Sequence, residues 1–395
     1  MNETTSENAA PTTTVAFATL GCKANQYDSS YLEAQLQARR FRLVDFKEKA
    51  DIYIINTCTV TDGADLDSRN LIRRANRRNP EAFKIVTGCY AQTKPGEVAR
   101  IEGVDLVLGN DKKAKLLDYL EMGRPERPMI EVDNIFLQTE LETFGMASYS
   151  RNTRAFVKIQ DGCNQFCSFC IIPYARGQNR SISIPRVLEE LRRLSEQGFC
   201  EAVLTGIHIG TYGHDQEPAN SLYNLLKAIE ETRPIHRVRV SSIDPEEVSD
   251  EMVELFAGAK VLCPHLHIPL QAGVFPFSPK RGTRAAKMLG QVPPQVKKAY
   301  AERLRELSEA KIRNFRRGFA GAEVEVLLEG TGDVCQNGDR SETVWTGFSE
   351  NYLPVEVATE SGFRGKLVRC RLELNTGGSL AGKSYPGRKE AAEGI

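Results

Sequence analysis

The sequence holds a single tryptophan and five histidines, and it has no excess of either charge: 52 Lys and Arg balance 52 Asp and Glu over 395 residues. That neutrality excludes a chain that is basic throughout, so any contact with nucleic acid must come from local charge patterning. No apolar run is long enough to cross a bilayer. The opening MNETTSENAAPTTT lacks the charged start and apolar stretch of a secretory signal. A cytoplasmic protein that leaves membranes alone is therefore expected, with residues 1–13 as a disordered lead-in. In a reducing compartment the ten cysteines do not read as a disulfide framework. Clustered thiols there point to metal or catalysis.

The chain is too long for one ordinary core, and two or three domains are expected. Residues 14–120 alternate short apolar runs (VAFATL, DIYIIN, FKIVTG, VDLVLG) with helical patterns, the signature of an open parallel sheet faced by helices. Asp28 and Asp65 read as N-caps or first-turn acids of two of those helices. Residues 121–153 carry prolines and charges without a steady period and read as a linker. A second βα series spans 154–317: RAFVKIQ, EAVLTG, HRVRVSSI and HLHIPLQ as strands, with helices over 185–198, 220–232 and 244–259. Such repeated units imply a full or partial β/α barrel. The series breaks after Gln271. Only Ala272 and Gly273 precede VFPFS, which reads as another strand, yet a parallel neighbour needs a crossover of a dozen or more residues. A βα unit is missing, or the second run turns back. A basic helix covers 294–317, and residues 318–385 read as a small antiparallel β-barrel, with a polar tail from Gly382. The fold class expected is α/β: an open parallel N-terminal domain, a partial barrel lacking a unit, and a C-terminal β-barrel.

Two sets of cysteines carry the chemistry. DGCNQFCSFC places Cys163, Cys167 and Cys170 just past a strand, at the edge where β/α barrels hold their sites. Three thiolates so close can converge on an iron–sulfur cluster and leave one iron free for a small molecule. A zinc knuckle or three unrelated buried thiols are the alternatives, although no fourth Cys or His follows at knuckle spacing. Cys22, Cys58 and Cys89 each follow a predicted strand of the first domain. Strand ends in an open α/β sheet share one edge, so these three, distant in sequence, read as a second cluster site, with ordinary buried cysteines as the alternative.

TLGCKANQYDS (19–29), NTCTVTDGAD (56–65), TGCYAQ (87–92), DGCNQFCSFC with IIPYARG (161–177), LTGIHIGTYG (204–213) and HLHIPLQAG (265–273) together resemble the radical-SAM methylthiotransferases, over nearly the whole chain. The wording around Cys22 and Cys58 resembles the branch acting on threonylcarbamoyladenosine beside the tRNA anticodon. The resemblance implies methylthio transfer to C2 of N6-threonylcarbamoyladenosine at position 37 of tRNA. Cys163, Cys167 and Cys170 would hold the [4Fe–4S] cluster that binds and cleaves S-adenosylmethionine. Cys22, Cys58 and Cys89 would hold an auxiliary [4Fe–4S] cluster that delivers sulfur, and a second S-adenosylmethionine would give the methyl group. The C-terminal barrel would be an RNA-binding TRAM module. A flavodoxin or ferredoxin would supply low-potential electrons, and a monomer is expected.

Around these motifs, Tyr174 and Arg176 are expected to line the cluster pocket, and Ser241, Ser242 and Asp244 to contact S-adenosylmethionine. Arg69, Arg73 and Arg77 share a helix face suited to phosphates, or form a solvated face; Arg313, Arg316 and Arg317 read the same way. Trp345, Phe348 and Tyr352 with Arg364, Lys366 and Arg369 suit base stacking and phosphate contact, or make barrel core and rim. His208, His265 and His267 read as hydrogen-bonded barrel residues, and Cys200, Cys263, Cys335 and Cys370 as structural thiols. In the family a long segment separates the strand matching HLHIPLQAG from the one matching VFPFSPKRGTRA; here Gly273 runs straight into Val274. Two further readings stand beside the first: an iron–sulfur RNA-binding protein with little or no catalysis because of that deletion, and methylthiolation of another base or of a ribosomal protein.

Overall fold

The structure is a computed structural model that describes residues 13–141, 153–268, 277–337, 340–359, 362–375 and 379–384, with backbone alone between 331 and 342. The first unit runs β1 (Thr14–Thr19), α1 (Lys23–Ala38), β2 (Arg42–Val44), β3 (Ile52–Thr57), α2 (Asp62–Arg78), β4 (Phe83–Gly88), α3 (Cys89–Thr93), α4 (Pro95–Ala99), β5 (Leu106–Leu108), α5 (Leu116–Met122) and β6 (Met129–Glu131). The strands form one parallel sheet in the order β2-β1-β3-β4-β5-β6. β3 and β4 are buried along their whole length, which is why they read as continuous apolar runs rather than as alternation. Tyr53, Ile55 and Val86 pack under one helical layer, and Ile52, Ile54 and Ile85 under the other. The stretch read as a linker contributes β6 to this sheet.

The second unit contains β7 (Ala155–Lys158), β8 (Gln160–Asp161), α6 (Ile172–Arg176), β9 (Arg180–Ser181), α7 (Ile184–Glu196), β10 (Glu201–Thr205), α8 (Leu222–Thr232), β11 (Arg237–Val240) and α9 (Asp250–Ala257). β11, β10 and β7 make a three-stranded parallel sheet, while β8 pairs with β9 apart from it. α7 buries Val187, Leu188, Leu191 and Leu194 on one face, the amphipathic stripe its spacing predicts. The helix expected over 244–259 is split. A single 3-10 turn at Pro245–Glu247 precedes α9, which Ser249 caps by accepting from the Met252 amide at 3.3 Å.

Beyond β11 the barrel does not continue as expected. HLHIPLQ is not a strand in its described part; only isolated bridges, Val238 with Leu262 and Ser242 with His267, reach β11 from that side. The break at Gly273 lies outside the described residues, as does most of VFPFS, and its last two residues are not in a strand. Instead the segment that follows doubles back: the Lys280 ammonium donates to Asp65 Oδ2 at 2.7 Å and to the Thr61 carbonyl at 3.2 Å in the first unit. A lone bridge supplies little of the ladder hydrogen bonding that defines a strand, so the sheet stops at three.

α10 (Pro294–Gly318) then leads to a closed barrel of β12 (Glu323–Asn337), β13 (Arg340–Ser349), β14 (Pro354–Thr359), β15 (Leu367–Leu374) and β16 (Leu380–Ser384). The tail expected from Gly382 is in part a barrel strand, since β16 pairs with both β14 and β15. Arg237 and Arg239 fasten this barrel to the sheet. Glu201 on β10 holds both guanidinium groups, which donate to the carbonyls of Glu325, Phe348, Ser349 and Glu350.

Candidate functional site

β1, β3 and β4 are neighbours in register, Thr19 opposite Asn56 and Thr57 opposite Gly88. Cys22, Cys58 and Cys89 leave the sheet at the same edge, just beyond these three strand ends. Cys22 is the N-cap of α1 and Cys89 the first residue of α3. Burial pushes the Cys58 thiol up, the Val60 and Thr59 amides oppose that shift, and the neighbouring Cys89 and Cys22 add to it. Cys58 and Cys89 are buried, whereas Cys22 is open to solvent. Gly88 makes the approach possible: its φ is +96°, and a Cβ there would run into the Thr57 backbone.

The second set follows β8. The Cys163 amide donates to the Gly177 carbonyl at 3.0 Å, and the Cys170 amide to the Cys167 carbonyl at 2.9 Å, so the loop folds on itself and onto the end of α6. Burial pushes the Cys170 thiol up, the Ile172 amide counteracts this, and Cys163 and Cys167 raise it further. All six thiols are free rather than disulfide-bonded. Each trio is gathered in one place, Cys58 with Cys22 and Cys89, and Cys170 with Cys163 and Cys167. Each offers three thiolate donors, the ligand type that holds iron–sulfur clusters. Among the described residues, His208, Asp244 and Glu247 also place three ligand atoms within 4.8 Å of one another.

Other predicted residues fall into place unevenly. Tyr174 is half exposed and packs edge-on to Phe166, next to Cys167, and to Phe136. Arg176 does not line the Cys163 pocket as expected. It is buried and reaches the other way, donating to Asp28 Oδ2 at 3.0 Å, to Asp161 Oδ2 at 2.9 Å and to the Asn25 side chain. Asp28 is no cap: it lies in the second turn of α1, and Lys113 and Lys158 bind it as well. Burial works against its charge, but Lys113, Lys158 and Arg176 hold its carboxyl well below the usual range. Ser242 hydrogen-bonds His267 at 2.8 Å, and Asp244 lies 3.6 Å from His208. The His208 ring lies 3.7 Å from the Cys163 sulfur and 2.6 Å from Glu247. Ser241 is buried at the end of β11.

The expected RNA contacts divide in the same way. Arg73 and Arg77 are exposed on α2, but Arg69 of that face turns to the Tyr90 hydroxyl at 3.1 Å. Arg364 is exposed and donates to Thr153. Trp345 belongs to the barrel core. Phe348 and Tyr352 are not free for base stacking: their rings stack on each other at 4.7 Å, with Arg154 over both and His265 and Arg239 against Tyr352. They fill the contact between barrel and sheet instead. Asn25, Asn110, Lys158 and Asp161 join the site without being singled out by the sequence; Asn25 lies inside the KANQYDS motif and Asp161 opens DGCNQFCSFC, but nothing local marks Asn110 and Lys158.

Residues 14–109 match the uncharacterized protein family UPF0004, and residues 157–317 match the Radical SAM superfamily. The threonylcarbamoyladenosine tRNA methylthiotransferase MtaB of Bacillus subtilis is 33% identical over 425 residues, spanning 91% of this chain and 93% of its own length. MtaB of Aquifex aeolicus is 32% identical over 424 residues, spanning 90% and 99%. The tRNA-2-methylthio-N(6)-dimethylallyladenosine synthase of Acetivibrio thermocellus is 27% identical over 436 residues, spanning 92% and 89%. These aligned spans exceed the 395 residues of the chain, so each relative holds residues with no counterpart here.

Proposed function

The chain belongs to the radical-SAM tRNA methylthiotransferases, and we propose on that premise that it places a methylthio group on C2 of N6-threonylcarbamoyladenosine in tRNA. The observation that carries this reading is the pair of cysteine trios, one beyond β1, β3 and β4 and one beyond β8, with the short helix α6 between them. Each trio is a donor set for a [4Fe–4S] cluster: Cys163, Cys167 and Cys170 for the one that takes S-adenosylmethionine, Cys22, Cys58 and Cys89 for the auxiliary one. With S-adenosylmethionine bound, the clusters supply one-electron cleavage of that cofactor and the sulfur for the new C–S bond.

The chain's own residues orient these parts. Gln160 accepts from the amides of Ile207 and His208 at 2.9 Å and 2.9 Å, fixing the loop after β10 beside Cys163. Asp244 and Glu247 stand on the next strand end with His208, a polar set suited to the amine and ribose hydroxyls of a nucleoside sulfonium. The exposed Arg73, Arg77 and Arg364 are candidates for phosphate contact. Phe348 and Tyr352 are not, because they are stacked within the protein. A flavodoxin or ferredoxin as electron source and a monomeric state complete the proposal. No helix among the described residues is long and apolar enough to cross a membrane.

The test is anaerobic reconstitution followed by reaction with tRNA bearing threonylcarbamoyladenosine. Iron and sulfide for two cubanes and a methylthio-nucleoside in the digest, read by mass spectrometry, are expected. Modification of another base or of a ribosomal protein in its place would overturn the substrate assignment. One observation favours a second reading, an iron–sulfur RNA-binding protein with little catalysis: β11 has only isolated bridges on its outer side, where an edge of a radical-SAM barrel would be paired. Release of 5′-deoxyadenosine decides between the two.

A further inference from the structure

Both thiol trios are joined through one short helix. At its end the Gly177 carbonyl receives the Cys163 amide at 3.0 Å. Two residues earlier, the Ala175 carbonyl receives Asn110 Nδ2 at 2.8 Å, and that same nitrogen lies 3.9 Å from the Cys89 sulfur. Between them the Arg176 side chain donates to Asn25 Oδ1, and Asn25 Nδ2 donates in turn to the Leu20 carbonyl at 2.7 Å and the Thr57 carbonyl at 3.0 Å. Leu20 precedes Cys22 by two residues, and Thr57 immediately precedes Cys58. Every one of the three strand-end turns of the first trio is thus reached from the five residues of α6 and the glycine after it.

The link is rigid and charged. Arg176 is 2% exposed and Asn25 1%. Burial opposes the charge on Arg176, but Asp161, Cys89, Asp28 and Cys22 outweigh it and hold the guanidinium firmly protonated. Its planar fork reaches Asp28 and Asp161 from one nitrogen and Asn25 from the other, a fixed spread that a compact ammonium does not match.

We propose that Arg176, acting through Asn25, is a positioning residue that fixes the auxiliary thiol trio relative to the S-adenosylmethionine trio and places a permanent cation beside the auxiliary one. This rests on the two-cluster reading above and goes further by assigning the spacing of the clusters to one side chain. Sulfur transfer needs substrate carbon held between two metal centres, and a misplacement of about 1 Å costs on the order of a hundredfold in such a step.

The test uses the full-length, reconstituted protein and the variants Arg176→Met, Arg176→Lys and Asn25→Ala. Arg176→Met still folds on charge grounds, because Lys113 and Lys158 remain to neutralise Asp28 and Asp161. The expected results are these. Iron content stays at two cubanes. The dipolar coupling between the two reduced clusters, read by electron paramagnetic resonance, changes in Arg176→Met and Asn25→Ala. Methylthio-nucleoside formed per 5′-deoxyadenosine falls by about tenfold or more. The midpoint potential of the auxiliary cluster alone drops in Arg176→Met, since a nearby positive charge favours the reduced state; Arg176→Lys restores the potential but only part of the coupling. Unchanged coupling and unchanged potential in Arg176→Met would overturn the proposal, as would loss of a whole cubane in Asn25→Ala, which would make the link a requirement for assembly rather than spacing. Should the wild type form no methylthio-nucleoside, the proposed reaction fails, while the potential and the dipolar coupling still decide the positioning role.

Discussion

The cysteines proposed as cluster ligands differ in setting, and so in what their loss should do. Cys58 is buried beside Cys22 and Cys89, and burial with those two neighbours raises its thiol; a metal that binds thiolate offsets that cost. Cys58→Ala should therefore remove one cubane and leave the other, halving iron and acid-labile sulfide while 5′-deoxyadenosine is still released. Loss of all iron would show that the two sites do not load separately. His265 offers a test by pH. Burial, with Arg239, His267 and Lys23 nearby, holds its pKa down at about 4, against 6.5 for an unperturbed histidine, and its Nδ1 has no protein partner among the described residues. Between those pH values the unfolded chain binds the extra proton, so stability declines as pH falls from 6.5 towards 4. Denaturant melts across that window should show the slope, and His265→Gln should flatten it.

At the scale of elements, the junctions between strands and helices matter more than the strands. Gly88 turns β4 into α3 at positive φ with no room for a side chain. Gly88→Ala should cost about 1–3 kcal/mol in backbone strain and shift Cys89, so both the unfolding midpoint and the iron content of the auxiliary site should fall together. α10 shows the opposite case. Its sequence alone makes a helix, with Lys298–Glu302 and Glu309–Arg313 spaced one turn apart. Yet Ala301 is its only buried residue, and Tyr300, Leu307 and Phe315 stay exposed. Helical spacing was enough to locate α10, whereas the strand expected at HLHIPLQ depended on a neighbour that is not paired with it. An apolar run becomes a strand only when another chain segment supplies its hydrogen bonds, and among the described residues HLHIPLQ is met only by an isolated bridge from Ser242, just past β11, to His267.

The whole molecule is held together by buried charge. Glu201 is fully buried between Arg237 and Arg239, whose other donors hold the barrel. Removing the acid strands two buried cations, and breaking such a set typically costs about 3–5 kcal/mol. Glu201→Gln should lower the denaturant midpoint and free the barrel for proteolysis ahead of the first unit; an unchanged midpoint would mean that the arginines find other partners.

Which cysteines lie together was written in the chain itself. A thiol just past a strand must sit at the sheet edge, and strands of one parallel sheet end on the same side, so local pattern alone puts Cys22, Cys58 and Cys89 in one place. The same holds for Cys163, Cys167 and Cys170, which are near neighbours along the backbone. What only the folded molecule decided is everything that depends on distant partners. Arg176 meets Asp28 across 148 residues, Phe348 and Tyr352 are claimed by Arg154 and Arg239 rather than by RNA, and among the described residues the parallel sheet of the second unit ends at β11. Burial energy and ion pairing act through space, and no periodicity along a sequence reports which charge will lie opposite which.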